Sequence, residues 1–303
     1  MVKTLGFFSS SDVPAFSFNK NGDSNFFLNW LKANYEKLRI ERTGTSNTLK
    51  RVSPEKFLDV SIWLPDIKEQ QKIADCLSSL DDLITAEAQK LDALKTHKKG
   101  LMQQLFPAEG ETVPRLRFPE FRDNHTAVLK AIGEFSKVTS GGKDTQNRIE
   151  DGKYPFFVRS QNIEKINSFS YDGEAVLTSG DGVGVGENYH YINGKFDFHQ
   201  RVYCICDFNE CVSGKFFFYY FSQHFKKRVK EMSAKNSVDS VRMPMITEMP
   251  IWLPTINEQE RIANCLSSLD ELIIAEAQKL AALKTHKKGL MQQLFPHFDE
   301  AHG

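Results

Sequence analysis

Three cysteines, Cys204, Cys206 and Cys211, stand in C-x-C-x4-C spacing, and thiolates that close together could grip a metal. The C-x2-C pair and nearby H-x3-H that usually complete such a site are missing. RVYCIC therefore reads as an apolar strand, and no metal is expected. Glycines at 180, 182, 184 and 186 in SGDGVGVGEN suggest a phosphate-cradling loop. That chemistry needs G-x-G-x-x-G opening a helix after a strand. Here the spacing differs and strand-like residues follow, so a hairpin or bulge is the reading. His97 and His286 each sit in a THKKG segment with no ligand spacing around them. HFKKRVK (224–230) could hold phosphates, but such runs are as readily a solvated helix face. The sequence has no N-P-P-Y motif, no Walker A lysine loop and no D…E-x-K cluster. No catalytic residue and no cofactor are expected, and the chain is read as not an enzyme by itself.

The elements that would position these groups follow from the whole chain. Its 303 residues allow about two domains, and 24 phenylalanines allow a sizeable core. Net charge is zero, and residues 113–254 carry only 19 Lys+Arg against 17 Asp+Glu, so charge does not point to a nucleic acid. Five cysteines, with Cys76 and Cys265 completing the set, suit free thiols in a reducing compartment. No apolar run approaches the ~18 residues of a membrane span. MVKTLGFFSSSD does not read as a signal peptide. A cytoplasmic location away from membranes is expected.

One repeat organises the sequence. Residues 67–107 recur at 256–296, an ungapped offset of 189, with 34 of 41 positions identical. The match extends upstream: IWLP at 62–65 recurs at 251–254, Asn47 maps onto Asn236, and Phe27 onto Phe216. A 189-residue period is a domain plus a helix, not a solenoid unit. On that period the first copy, ending at 107, lacks 82 residues at its start. This predicts weaker order over 1–65 than over 113–254. Leucines and isoleucines at three- and four-residue spacing (Ile73, Leu77, Leu80, Ile84, Leu91, Leu94, Leu101, Leu105) predict long helices, starting near Asp66 and Thr255 and stopping at Pro107 and Pro296. Between them YPFFVRS (154–160), EAVLTSG (174–180) and KFDFHQRVYCICDF (195–208) read as strands. FFFYYFSQHFKKRVKEM (216–232) and FFLNWLKANYEKL (26–38) read as helices. The fold class is α+β: a mixed domain plus two long helices forming an antiparallel coiled coil. Glu87, Lys98, Glu276 and Lys287 interrupt the seams. Setting Glu87 against Lys287 and Lys98 against Glu276 neutralises both pairs in one antiparallel register, whose residue numbers add to 374. That register puts Leu91 against Leu283.

Several segments together carry a resemblance. IWLPTINEQERIANCLSSLDELI and KKGLMQQLF match a characteristic helix start and helix end. PRLRFPEF (114–121) and the block from GKYPFFVRSQNI to GDGVGVGENYHYINGKFDFHQRVY match a recognition-domain opening and core. The chain resembles the specificity (S) subunits of type I restriction–modification systems over residues 27 to 296. It departs from them at His125 and Thr126, where a Trp usually follows RFPEF, and in the shortened first domain.

The resemblance implies a layout: 1–65, the C-terminal remnant of a first target-recognition domain; 66–107, a conserved long helix; 108–254, a complete second recognition domain; 255–296, the second long helix; 297–303, a tail. It implies double-stranded DNA as ligand. The implied partners are methyltransferase subunits that methylate adenine, the restriction subunit through the complex, and a second S chain. Loops after strands would carry the contacts. The candidates are Ser140, Lys143 and Arg148; Arg159, Gln161 and Asn162; Ser179; Lys195, His199, Gln200 and Arg201; and Lys235, Asn236 and Ser237. A second reading is a truncated or recombination-derived fragment that assembles through its helices without full bipartite specificity. A third, enzymatic reading is a fragment of a fused nuclease–methyltransferase, which an upstream catalytic domain in the intact gene would support.

Overall fold

The computed structural model describes residues 18, 20–34, 42–43, 51–52, 62, 64–108, 110–123, 127–182, 184–232 and 240–295. It divides into two compact units, Met1–Ala93 with Ile273–Gly303, and Leu94–Leu272. This division falls inside both long helices, where the linear repeat had suggested boundaries at their ends.

The first unit holds helix α1 (Ser24–Asn34), the two-residue antiparallel strands β1 (Arg42–Thr43) and β2 (Arg51–Val52), the first part of helix α2 (Ile67–Leu105) and the last part of helix α6 (Ile256–Leu294). Asp66 starts α2, its Oδ1 accepting the Lys68 and Glu69 amides at 2.9 Å. Phe26 and Trp30 of α1 are buried with Ile73, Ala74, Leu77 and Phe295. The predicted extension of α1 to residue 38, most of the 1–65 remnant whose order was in question, and the stop at Pro296 lie outside the described residues.

The second unit is a mixed α+β domain. Its six-stranded sheet has the order β4-β9-β7-β8-β5-β6, with β4 Lys137–Ser140, β5 Tyr154–Phe157, β6 Ile163–Ile166, β7 Tyr171–Ser179, β8 Tyr189–Phe198 and β9 Val202–Cys206. All neighbours are antiparallel except β5 and β8. A separate pair joins β3 (Val128–Ala131) to β10 (Pro250–Leu253), and the short helices α3 (Ile132–Phe135) and α5 (Met243–Thr247) also belong to this unit. The single strand expected over 195–208 is broken: β8 ends at Phe198, a turn holds His199–Arg201, and β9 begins at Val202. The Val202 amide donates back to the His199 carbonyl at 2.9 Å, which makes the turn.

The two-residue period of a strand sorts side chains into two cores. Val176 and Ile205 face the core of helix α4 (Gly214–Met232), whose Phe216, Phe217, Phe221 and Phe225 are all fully buried. Each such burial contributes about 1.5–3 kcal/mol. Ala175, Leu177, Cys204 and Cys206 belong to the opposite core, with Phe157, Phe196 and Phe198. The C-x-C spacing is thus one face of a buried strand. Cys211 lies in the exposed turn beyond it.

The long helices run antiparallel, because ion-pair partners advance in opposite directions. In the first unit Lys90 meets Glu276 at 2.6 Å, Lys279 meets Glu87 at 2.5 Å, and Lys287 meets Asp81. In the second unit Lys98 meets Asp270 at 2.5 Å. These residue numbers add to 366 or 368, not the 374 expected. The expected register is therefore wrong by about seven residues, or roughly 10 Å along the axis. Leu91 lies level with Glu276, about two turns from Leu283. A seam that repeats every seven residues looks the same after a seven-residue slide, so the leucines could not choose between the two. The countercharges come from Lys90 and Lys279, which reach in from beside the seam while staying half exposed. Among the described residues no helix is long and apolar enough to cross a membrane.

Candidate nucleic-acid interface

The two units repeat one arrangement around a glutamine in the first turn of each long helix. Gln70 accepts the Asp23 amide at 2.9 Å and donates to the carbonyls of Asn21 and Pro65. Gln259 accepts the Ser213 amide at 3.0 Å and donates to the carbonyls of Cys211 and Pro254. Asp23 thus corresponds to Ser213, an offset of 190, so Phe26 and not Phe27 is the counterpart of Phe216. The packing agrees: Phe26 meets Phe295 edge-on at 5.3 Å, and Phe216 meets Phe106 at 5.7 Å. Among the described residues, only the second unit shows a further brace. There Arg117, from PRLRFPEF, forks onto Glu258 at 2.7 and 2.6 Å with both side chains nearly enclosed. Arg261 stacks over Phe118 at 4.6 Å and reaches Glu120. This brace fixes the opening of the sheet domain to the start of α6.

On that fixed domain, loops from several strands converge. Arg159, just after β5, donates through Nη1 to Asp181 Oδ1 at 2.8 Å. Arg201, in the turn before β9, meets Asp181 Oδ2 through its own Nη1 at 3.1 Å. Gln161 donates to Asn188 Oδ1 at 3.0 Å and to the Glu187 carbonyl at 2.8 Å. The Gln200 amide bonds the Lys143 carbonyl, and its side chain reaches Asp144 at 3.2 Å. Lys143 and His199 also form a parallel bridge, and Ser140 lies exposed opposite Tyr203 on β4. The structure therefore brings together Ser140, Lys143, Arg159, Gln161, Gln200 and Arg201; Asn162 follows Gln161 in the same loop, its carbonyl accepting from Ser160 Oγ at 2.9 Å.

The remaining candidates fall elsewhere. Ser179 is buried and its Oγ accepts from Asn188 Nδ2 at 3.2 Å. His199 is also buried, and its Nδ1 accepts the Arg201 amide at 2.9 Å. Burial first, then the nearby Arg159 charge, holds its imidazole below the ordinary histidine pKa, which keeps that acceptor nitrogen bare. These two residues shape the loops from beneath. Arg148 pairs at 3.5 Å with Glu164 on β6. Lys195 sits at the Asp172 end of the β7–β8 ladder, over the Phe169 ring at 4.8 Å, whereas Thr178 and Tyr189 close the other end, beside Ser179. Lys235, Asn236 and Ser237 lie outside the described residues. In the basic run Lys226 pairs at the surface with Glu187 at 2.5 Å and Arg228 Nε donates to the Met245 carbonyl at 2.7 Å, while Lys226, Lys227 and Lys230 stay exposed.

Asp181 and Asn188 belong to this site and were not among the candidates. Both lie in the SGDGVGVGEN loop, whose glycines were the available signal. A Cβ on Gly184 would collide with the Asn188 side chain, and Gly186 turns at φ 69° against Lys226. Those glycines let the loop fold onto itself and present Asp181.

A sheet domain that gathers arginine and amide side chains at loop ends, braced to paired long helices, defines a recognition module on a helical frame. A family profile described as type I restriction modification DNA specificity domain matches residues 3–96 and 125–285. The type I restriction enzyme MjaVIII specificity subunit of Methanocaldococcus jannaschii is 26% identical, over 95% of this chain and 73% of that protein. The EcoDI specificity subunit of Escherichia coli is 31% identical over 46% of this chain and 30% of its own length. The crystal structure of a type I restriction–modification S subunit from M. genitalium superposes with a TM-score of 0.69 at 16% identity, covering 94% of this chain and 76% of that one. The chain belongs to the type I restriction–modification DNA specificity domain family.

Proposed function

We propose that this chain is the DNA sequence-recognition and scaffold subunit of a type I restriction–modification complex. The loops carrying Ser140, Lys143, Arg159, Gln161, Asn162, Gln200 and Arg201 read one half-site of double-stranded DNA. The paired helices recruit methyltransferase subunits and, through the complex, the restriction subunit. A second S chain is a further candidate partner. The chain itself performs no catalysis and works in the cytoplasm. The observation that carries the reading is the convergence of Arg159 and Gln161, from the loop after β5, with Arg201, from the turn before β9, in a chain of this family. Arginine and glutamine are the residues whose forked donors and acceptors match base edges, whereas serine and lysine contacts to phosphate set register. Co-expression with the neighbouring methyltransferase gene, pull-down and mapping of methylated adenines tests it. A stable complex that methylates one defined sequence is expected. Arg159→Ala and Arg201→Ala should each weaken binding of a duplex carrying that sequence by on the order of tenfold. Loss of neither methylation nor binding in both variants would remove this surface from the mechanism.

A further inference from the structure

We infer that Asp181 is a positioning residue that makes binding selective, by holding Arg159 and Arg201 for base edges and opposing their use on phosphates. The inference rests on the DNA-facing reading of these loops. Both arginines are long and exposed, at 44% and 63% of the side chain, and they come from different strand ends. Left alone, such side chains settle on the phosphate backbone, which attracts any cation irrespective of sequence. The Asp181 carboxylate is only 18% exposed and takes Nη1 of each guanidinium, one on each oxygen. It fixes two forks with one anion.

Its own backbone is held independently of that carboxylate. Asp181 bridges Ser240, the Gly180 amide donates to the Arg201 carbonyl at 2.7 Å, and the Val241 amide donates to the Gly180 carbonyl at 2.7 Å. Beneath the pair, neutral His199 receives the Arg201 amide. The carboxylate therefore stands at a fixed point between the two cations, where a phosphate oxygen approaching either one meets a like charge. A base edge presents neutral acceptors and meets no such repulsion. Asp181 thus costs random DNA more than it costs the target.

The test uses the complex of this chain with its methyltransferase and two duplexes, one carrying the mapped methylation sequence and one a scramble of it. Asp181→Asn keeps shape and removes the charge. The expected result is tighter binding of the scramble by a few-fold, a salt dependence on the scramble steeper by about one in log–log slope, and a target-to-scramble ratio lower by on the order of tenfold. Asp181→Glu should recover part of the ratio. Arg159→Lys, which keeps charge but loses the fork, should lower the ratio without strengthening the scramble. Equal weakening of both duplexes in Asp181→Asn, with an unchanged salt slope, would overturn the inference and leave the DNA-facing reading standing. Undiminished target binding in Arg159→Ala and Arg201→Ala would overturn both.

Discussion

At the residue scale, partners rather than residue types decide what a side chain does. His224 illustrates this. Its ring stacks on Tyr220 with centroids 4.4 Å apart, and its Nε2 is buried without a hydrogen-bond partner. Burial pushes its pKa down from 6.5 to about 4. The folded state thus keeps it neutral, while the unfolded chain takes up a proton as pH drops below 6.5. A depressed histidine pKa costs stability as pH falls through this window. Unfolding temperature should therefore decline between about pH 6.5 and pH 4, and His224→Phe, which keeps the stack, should flatten that decline. Thermal melts across the range check it; an identical decline in the variant would assign the effect to other groups. Gln259 makes the same point for polar burial. It satisfies one amide and two carbonyls. Gln259→Leu would leave these groups unpaired at a cost of about 2 kcal/mol or more, read by denaturant unfolding.

At the element scale, the repeated helix sequences sit in different surroundings. Glu258 and Glu69 occupy the same place in the two copies, yet Glu258 is fully enclosed against Arg117 and Glu69 is exposed. Breaking a buried, forked ion pair leaves one charge stranded, so Arg117→Ala should destabilise by about 3 kcal/mol. Glu69→Gln should change stability by less than about 0.5 kcal/mol. Equal effects in unfolding titrations would show that the brace carries no strength. The helix pairing gives a second case. Glu87 and Glu276 are both buried in the seam, and each meets a half-exposed lysine. Lys90 first, then contact with Glu87, holds the Glu276 carboxyl below its ordinary 4.5. A depressed carboxylate contributes stability above the ordinary value and loses it as pH falls through the folded one. Lys90→Met with Lys279→Met should therefore lower the melting temperature at neutral pH, and the gap to the parent chain should narrow below pH 4.5. A gap that stays constant with pH would rule out the charge pairing as its source.

At the scale of the whole molecule, a chain of zero net charge works through local arrangement, not bulk attraction. The purified chain should transfer no methyl group from S-adenosylmethionine to DNA; measurable transfer in a radiolabel assay would contradict the proposed role. Much of the architecture was legible in the residues. The 189-residue repeat, the two long helices, the mixed domain between them and the buried RVYCIC strand all follow from periodicity, because burial of a helix stripe or strand face is a local demand written at 3.6 or 2 residues. Residues 195–208 read as one strand because apolar alternation continues across the turn; the interruption is made by pairing with β5 on one side and β7 on the other. The helix register was not legible, because a seven-residue repeat is unchanged by a seven-residue slide and the deciding lysines lie beside the seam. Nor was Asp181, an acidic residue in a glycine loop, marked as the anchor of two arginines 22 and 20 residues away on either side of it in the chain. By itself the sequence determined which segments must be helix, strand and core. Only the tertiary structure decided which charges meet, because ion pairs and loop contacts join residues distant in sequence whose spacing obeys no period.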